Sequence, residues 1–186
     1  MAEKMNSVTQ TTRTKFLTVT ALMTAVTCIV GPFSIPIPGS PVPITLTNFA
    51  LYIAVYILGM KAGTISCLLY LCLGAAGLPV FSAFSGGFGK LAGPTGGYLI
   101  GFLFLALIQG LFMHFFPGKN IAAIAGMILG TAVCYFFGTV WLAWQMHLSF
   151  GAALAAGVIP YLPGDGVKII IAALAGPKLQ AALRKL

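Results

Sequence analysis

Residues 98–116 read YLIGFLFLALIQGLFMHFF and contain no aspartate, glutamate, lysine or arginine. A helix needs about 20 apolar residues to cross a hydrocarbon core of about 30 Å, and this run has that length. A second such run, IAAIAGMILGTAVCYFFGTVWLAW, occupies residues 121–144. An unpaired backbone group costs several kcal/mol in lipid, and neither run alternates like a barrel strand. We therefore expect both runs to be membrane-spanning helices.

Four further apolar segments bring the number of predicted helices to six. They occupy residues 16–30, 44–60, 62–76 and 157–179. Pro160 and Pro163 interrupt the last segment, so its regular helix should begin near Gly164. The first segment also has features of a signal peptide, because Arg13 and Lys15 precede it. Five apolar segments follow and Gly31-Pro-Phe33 is no small-residue cleavage site, so an uncleaved helix is the better interpretation.

The composition excludes an ordinary soluble protein. Hydrophobic residues make up 59% of the chain and charged residues only 6%, whereas soluble domains carry about a quarter charged residues. The formal charge of +8 comes from basic residues scattered singly between apolar runs, which form no patch for nucleic acid. The cysteines, at positions 28, 67, 72 and 134, lack the spacing of a metal site or a disulfide framework. We predict no metal, and buried or lipid-facing thiols.

The basic residues also predict the orientation in the membrane. Six helices place both chain ends on one side, and most basic residues fall on that side: Lys4, Arg13, Lys15, Lys61, Lys119, Lys178, Arg184 and Lys185. Only Lys90 and Lys168 fall on the other. By the positive-inside rule, both termini should be cytoplasmic in a multi-pass protein of the cell membrane.

Two segments on the external side, residues 31–43 and 77–97, are long and rich in glycine and proline. Long loops in compact domains are usually functional or disordered, and the second one carries large apolar side chains that favour packing over disorder. The predicted fold class is therefore an all-α membrane protein, with six transmembrane helices and two long external loops capping a ligand pocket. Residues 1–14 form a polar cytoplasmic tail, and residues 15–186 form one membrane domain.

Asp165 and Lys168 are the one charged pair predicted inside the apolar body, since Glu3 lies in the tail. Ionisable residues in a membrane segment usually serve a function and have a partner. A spacing of three places both side chains on one helix face. The carboxylate accepts hydrogen bonds and the ammonium donates them, so the pair suits a planar group with N–H and C=O, such as a urea or an amide. The alternative is a structural ion pair that neutralises two semi-buried charges.

Other features favour binding over catalysis. No histidine, serine or cysteine is placed to act with the charged pair, so we predict no catalytic residue and no enzyme. Gly86-Gly87 and Gly96-Gly97 offer backbone N–H groups to an anion, or else serve tight turns and close packing. No Gly-x-x-x-x-Gly-Lys-Ser/Thr run is present, so ATP-driven work would need another chain.

The chain resembles the BioY family, the biotin-specific substrate-binding (S) components of energy-coupling factor (ECF) transporters. The resemblance runs from the first predicted helix to the last. It rests on Ala21-Leu-Met-Thr-Ala25, Pro41-Val-Pro-Ile-Thr-Leu46, Gly77-Leu-Pro-Val-Phe81, Gly93-Pro-Thr-Gly-Gly97, and Leu162-Pro-Gly-Asp165 followed by Lys168. Any one of these motifs alone would be a weak signal, whereas their order and membrane side make the resemblance specific.

The resemblance implies a subunit that captures biotin outside the cell and delivers it to the cytoplasm. Delivery would follow docking on an ECF transmembrane coupling protein with two ABC-type ATPases, with Ala21 and Ala25 at the docking surface. Alternatively, these two small residues, one helical turn apart, would allow close packing against another helix of the same chain. Biotin is the transported ligand, and no cofactor is implied. The first loop would lie over the site as a lid, and the loop before the fourth helix would line it.

Each part of biotin has an expected partner. Asp165 would accept a hydrogen bond from a ureido N–H, and Lys168 would donate one to the ureido carbonyl. The apolar parts would contact Val42, Phe81, Phe84 and Tyr161.

Two positions depart from the family pattern, because some relatives carry asparagine where Ser85 stands and arginine where Leu99 stands. Ser85 can still form a hydrogen bond with a ureido group, but Leu99 cannot pair with a carboxylate. The tail would then be bound by Lys90, Tyr98, or backbone N–H groups of the Gly86-Gly87 turn and Gly97.

Three alternative functions remain. One is an S component for another small vitamin. The others are a lipid-modifying membrane enzyme and a small channel. An enzyme should show more polar catalytic groups, and a channel should show a polar stripe through several helices; the sequence shows neither.

Overall fold

The computed structural model describes residues 2–184, with side chains for residues 14–183. Its helices are α1 (Ala2–Val30), α2 (Thr47–Ala75), α3 (Phe88–Ala92), α4 (Gly96–Phe115), α5 (Asn120–Gln145), α6 (Phe150–Gly157) and α7 (Leu162–Arg184). Two short strands, β1 (Ser34–Ile35) and β2 (Ile44–Thr45), pair antiparallel between α1 and α2. The side chains of Lys4, Arg13, Arg184 and Lys185, which contribute to the predicted orientation, lie outside the described ones.

Helix α2 is a hairpin of two arms, residues 47–58 and 60–75, rather than one straight helix. Gly59 breaks the helical geometry with φ 74° and ψ −174°, a conformation that glycine adopts without steric cost. A Cβ built on Gly63 would lie 3.0 Å from the Val55 Cα, although eight residues of straight helix would separate them by about 12 Å. The predicted helices 44–60 and 62–76 are therefore these two arms. The turn lies at Gly59 instead of Lys61, and residues 44–45 belong to β2 instead of the helix.

Four stretches of the described chain are long and apolar enough to cross a membrane: Thr47–Ala75, Gly96–Phe115, Asn120–Gln145 and Phe150–Leu183. Residues Thr14–Val30 of α1 form a shorter apolar helix. Counting the arms of α2 separately, α1, α2, α4, α5 and α7 supply six long helical segments among residues 2–184. The predicted set of six helices is confirmed. That each of the six crosses the membrane stays a prediction.

The last predicted helix, residues 157–179, is divided differently in the structure. Gly157 ends the short helix α6, a single turn of 3-10 helix follows at Ile159–Tyr161, and α7 begins at Leu162. The helix starts before Gly164 because proline is tolerated in the first turn, where its missing N–H has no helical partner. A further proline, Pro177, lies inside α7.

The core lies between α2, α4 and α5, where small residues let helices approach closely. A Cβ on Gly130 of α5 would lie 2.9 Å from the Leu105 carbonyl oxygen of α4. One on Gly126 would lie 2.9 Å from the Gln109 Cα. Packing of small residues against facing backbone is the usual source of association between helices in lipid.

Both long loops are fastened to the helices. In the loop between α1 and α2, the Ser40 hydroxyl donates to the Ala156 carbonyl oxygen at 2.8 Å and lies 2.8 Å from the Tyr161 hydroxyl. In the loop between α2 and α4, the Gly93 carbonyl oxygen accepts a hydrogen bond from the Trp141 indole N–H at 2.9 Å. The loops are therefore ordered parts of the fold.

Candidate functional site

A cavity with an open mouth lies between the helices and the two long loops. Its wall is formed by residues from α2, α4, α5, α6, α7, the 3-10 turn and both loops: Val42, Pro43, Thr45, Thr47, Asn48, Tyr70, Ser82, Thr95, Tyr98, Leu99, Phe102, Leu105, Thr131, Cys134, Tyr135, Gly157, Tyr161, Asp165 and Lys168. Sites for small molecules are usually concave and mostly apolar, with a few polar groups. The predicted charged pair lies on the wall of such a cavity.

The Asp165 and Lys168 side chains form a salt bridge in the first turns of α7. The Lys168 ammonium donates to Asp165 Oδ1 at 2.8 Å, and both side chains are nearly nine-tenths buried. It also donates to the Thr45 carbonyl oxygen at 2.6 Å and to Asn48 Oδ1 at 3.1 Å. An ammonium has three N–H donors, so all of those on Lys168 are committed.

The second carboxylate oxygen of Asp165 accepts a hydrogen bond from the Tyr135 hydroxyl of α5. Each carboxylate oxygen thus has one donor within the protein, but an ionised carboxylate can accept about four hydrogen bonds. Asp165 therefore retains capacity for donors on a ligand. Lys168 can donate to a ligand only by giving up one of its present acceptors.

Tyr98 and Tyr161 lie together beside α6. The Tyr161 hydroxyl donates to the Val42 carbonyl oxygen, which ties the first loop to the 3-10 turn. The Tyr98 hydroxyl is buried, with the Thr139 hydroxyl of α5 as its polar neighbour. A Cβ at Gly157 would lie 2.1 Å from that hydroxyl oxygen, so only glycine leaves room for it there. Val42, Tyr98 and Tyr161 are thus predicted site residues that the structure brings to the cavity wall.

Among the described side chains, six other predicted site residues lie away from this wall: Phe81, Phe84, Ser85, Gly86, Gly87 and Lys90. Phe81 is fully buried, edge-on to Tyr70 with the ring centroids 5.5 Å apart. Phe84 is 61% exposed and packs edge-on against Phe33. The Ser85 hydroxyl donates to the Ser82 carbonyl oxygen at 2.6 Å.

The backbone geometry explains why Gly86 and Gly87 occupy the turn before α3. A Cβ on Gly86 would lie 2.2 Å from the Leu78 carbonyl oxygen, and Gly87 has φ 88°. Both positions therefore require glycine for the path of the backbone. Lys90 lies on α3, where partial burial lowers the pKa of its ammonium.

Ala21 and Ala25 are exposed on α1, on the surface that also carries Leu22 and Val26. The opposite face is buried, and the Thr24 hydroxyl there lies 2.9 Å from the Ser66 hydroxyl of α2. The two alanines therefore lie on the exposed face of α1.

Sequence reasoning missed three residues that position the charged pair: Thr45, Asn48 and Tyr135. Thr45 contributes a backbone carbonyl, which no side-chain pattern reveals. Asn48 was detectable as a lone amide in an apolar helical segment, since polar groups in membrane segments usually find a partner. Among the described side chains, no three of histidine, cysteine, aspartate and glutamate come together as possible metal ligands.

Known proteins with similar sequences and folds identify the family. The model of the BioY family matches residues 2–185. The probable biotin transporter BioY of Pyrococcus horikoshii is 37% identical over 168 residues, covering 90% of this chain and 98% of its own. The biotin transporter BioY of Thermotoga maritima is 38% identical over 153 residues, covering 82% and 88%.

A solved structure agrees with these sequence matches. The crystal structure of the S-component for biotin from an ECF-type ABC transporter superposes with a TM-score of 0.85 and 32% identity. The match covers 92% of this chain and 93% of the other. The chain belongs to the BioY family.

Proposed function

We propose that this chain is the membrane-embedded biotin-binding subunit of an ECF-type vitamin importer. The observation that carries the proposal is the Asp165–Lys168 pair on the wall of a mostly apolar cavity. The fold, which matches an S-component for biotin over 92% of the chain, supports the same function. The chain would take up biotin from outside the cell and release it to the cytoplasm.

The ureido head of biotin suits the charged pair because it is planar and presents two N–H donors beside one carbonyl. Asp165 would accept from an N–H, using capacity that Lys168 and Tyr135 leave free. Lys168 would donate to the carbonyl. Val42, Leu99 and Phe102 on the same wall would contact the apolar ring and chain.

Binding at Lys168 would also affect the first loop. To donate to a ligand, Lys168 must release Asp165, Asn48 Oδ1 or the Thr45 carbonyl oxygen, and the last of these belongs to β2 at the end of that loop. If the ligand replaces the Thr45 carbonyl oxygen, recognition of the head would be coupled to the position of the loop between α1 and α2. Such coupling would suit the proposed role of that loop as a lid over the site.

Transport would need a source of energy from other chains, since this sequence has no nucleotide-binding motif. We propose that the exposed Ala21 and Ala25 surface of α1 receives the coupling protein, which works with two ABC-type ATPases. Small residues on a lipid-exposed face allow a partner helix to approach closely.

One competing interpretation has a specific observation in its favour. Every N–H of Lys168 is already committed within the protein, as in a structural ion pair. The substitution of Asp165 described at the end of the Discussion separates this interpretation from ligand recognition.

Equilibrium binding to the purified protein tests the proposed function. Radiolabelled biotin, thiamine and riboflavin should be titrated separately under the same conditions. We expect saturable binding of biotin and none of the other two vitamins. Tight binding of another vitamin, with biotin unbound, would contradict the proposal.

A further inference from the structure

The two charged groups on the cavity wall are paired with each other. Asp165 and Lys168 are the two ionisable acid and base groups on that wall, and they pair at 2.8 Å. All three N–H donors of Lys168 are committed to Thr45, Asn48 and Asp165. The pair is neutral as a whole, so it offers little attraction to an additional anion.

The first turn of α4, which also borders the cavity, has three of its first four backbone donors committed to acceptors within the protein. The Gly96 N–H donates to the Gly93 carbonyl oxygen at 2.9 Å. The N–H groups of Tyr98 and Leu99 both donate to the Thr95 carbonyl oxygen, at 3.1 and 3.3 Å. Gly97 packs against α5, where an added Cβ would lie 2.3 Å from the Trp141 Cβ. Of these four N–H groups only that of Gly97 lacks an acceptor, and one neutral N–H does not replace a cation as the partner of a carboxylate.

The wall beyond that turn is apolar or neutral. Leu99, Phe102 and Leu105 form its apolar part, and Leu99 is only 7% exposed. The Tyr98 hydroxyl on this wall is a neutral donor. Lys90, the other cation predicted to bind a carboxylate, lies on α3 away from the wall.

Moving an ionised carboxylate out of water costs several kcal/mol of desolvation free energy when no cation is present to pair with it. On this wall, a ligand that ends in a carboxylate must keep that end at the open mouth or lose affinity. A ligand with a neutral end has no such desolvation cost and can form hydrogen bonds with the hydroxyl groups of the wall. The free acid thus gains no advantage over its neutral derivatives.

On the basis of the proposed function, we infer that the site recognises the ureido head alone. It therefore binds biotin-type ligands with neutral tails, such as amides and esters, at least as tightly as free biotin. The range of ligands therefore extends to biotin joined to an amine through an amide bond. Selectivity comes from the Asp165–Lys168 end of the cavity.

Competition against radiolabelled biotin on the purified full chain tests this inference. The competitors are free biotin, its primary amide, its methyl ester, and the diamine made by opening the ureido ring with the tail unchanged. The amide and the ester should have dissociation constants within about threefold of free biotin or lower, and the diamine should bind about a hundredfold more weakly. A preference for the free acid of about tenfold or more over the amide would overturn the inference. So would equal binding of the diamine.

Failure of the proposed function gives a different result, because labelled biotin itself would then not bind and the inference would be wrong as well.

A substitution on the wall provides an independent measurement. Leu99→Arg adds a cation beside the tail and should shift the ratio of acid to amide affinity toward the acid by about tenfold or more, whereas Leu99→Met should leave it unchanged. An unchanged ratio in folded Leu99→Arg protein would show that the tail lies elsewhere, which contradicts the neutral-wall explanation.

Discussion

Replacing Asn120 with alanine should destabilise the protein, and the loss should depend on the residue at position 177. Pro177 lies inside α7 and has no N–H, so the carbonyl of Ala173, four residues earlier, lacks its helical donor. The Asn120 side chain of α5 supplies the missing bond, donating from Nδ2 to the Ala173 carbonyl oxygen at 3.1 Å. Asn120 Oδ1 also accepts from the Tyr56 hydroxyl of α2. One amide therefore joins three helices.

The size of the effect follows from these two bonds. Ala173 is only 6% exposed, and a buried carbonyl left without a partner costs about 1–3 kcal/mol. Asn120 itself is exposed, and hydrogen bonds between helices in membrane proteins average about 0.6 kcal/mol in double-mutant cycles, because lost partners are often replaced. Pro177 removes the nearest replacement within α7, so we expect a cost in the lower part of that range, about 1–2 kcal/mol, from the Ala173 bond and less than about 1 kcal/mol from the Tyr56 bond.

A double-mutant cycle measures the first contribution by equilibrium unfolding in mixed micelles. Asn120→Ala should cost about 2 kcal/mol in the wild-type chain and about 1 kcal/mol or less in Pro177→Ala, where the restored N–H can donate to Ala173. Tyr56→Phe is the matched control, since its cost should be the same with either residue at position 177. Equal costs of Asn120→Ala in both backgrounds would refute the reasoning.

Three further predictions concern docking, orientation and the α2 hairpin. Bulky substitution at the exposed Ala25 should leave biotin binding intact and lower ATPase-dependent uptake about tenfold; lost binding in an assembled protein would show a role in the pocket instead. Phe88 is 74% exposed, so a cysteine introduced there should react with an impermeant thiol reagent in intact cells without ligand. Labelling that occurs only after permeabilisation would show that the orientation in the membrane is the opposite of the predicted one. Gly59→Ala should cost about 1–3 kcal/mol of stability because φ is 74° there. The control Gly151→Ala in α6 should cost nothing, because the space around its Cβ position is open. Equal losses of stability in the two variants would contradict the hairpin geometry.

The long helices could be predicted closely from sequence because lipid permits so few alternatives. The runs 98–116 and 121–144 correspond to α4 and α5, at Gly96–Phe115 and Asn120–Gln145. The sequence predicts the hairpin turn at Lys61, two residues after the break at Gly59, because a charged residue and a glycine lie side by side in an apolar run and only the backbone dihedrals distinguish them. The strands β1 and β2 contain two residues each, too few for a periodic pattern.

The candidate site could be predicted only in part. A lone charged pair in an apolar chain is visible from composition, and Asp165 and Lys168 do lie on the cavity wall. Their partners Thr45 and Asn48 lie more than a hundred residues away in sequence and are brought close by packing between helices. The resemblance implies that Phe81 contacts the apolar parts of the ligand, and this stays a prediction. In the structure its ring fills the space beside Gly74, where an added Cβ would lie 2.1 Å from it.

Biotin titration of the wild-type protein and Asp165→Asn, together with thermal unfolding of each without ligand, tests the central claim most directly. Asparagine keeps the shape but offers an uncharged acceptor, and hydrogen bonds to charged groups are worth about 1.5–3 kcal/mol. If Asp165 binds the ureido head, biotin affinity should fall by about ten- to a hundredfold in protein that still folds. A variant that is less stable yet binds biotin as tightly as wild type would show a structural ion pair, and would contradict recognition of the head by Asp165.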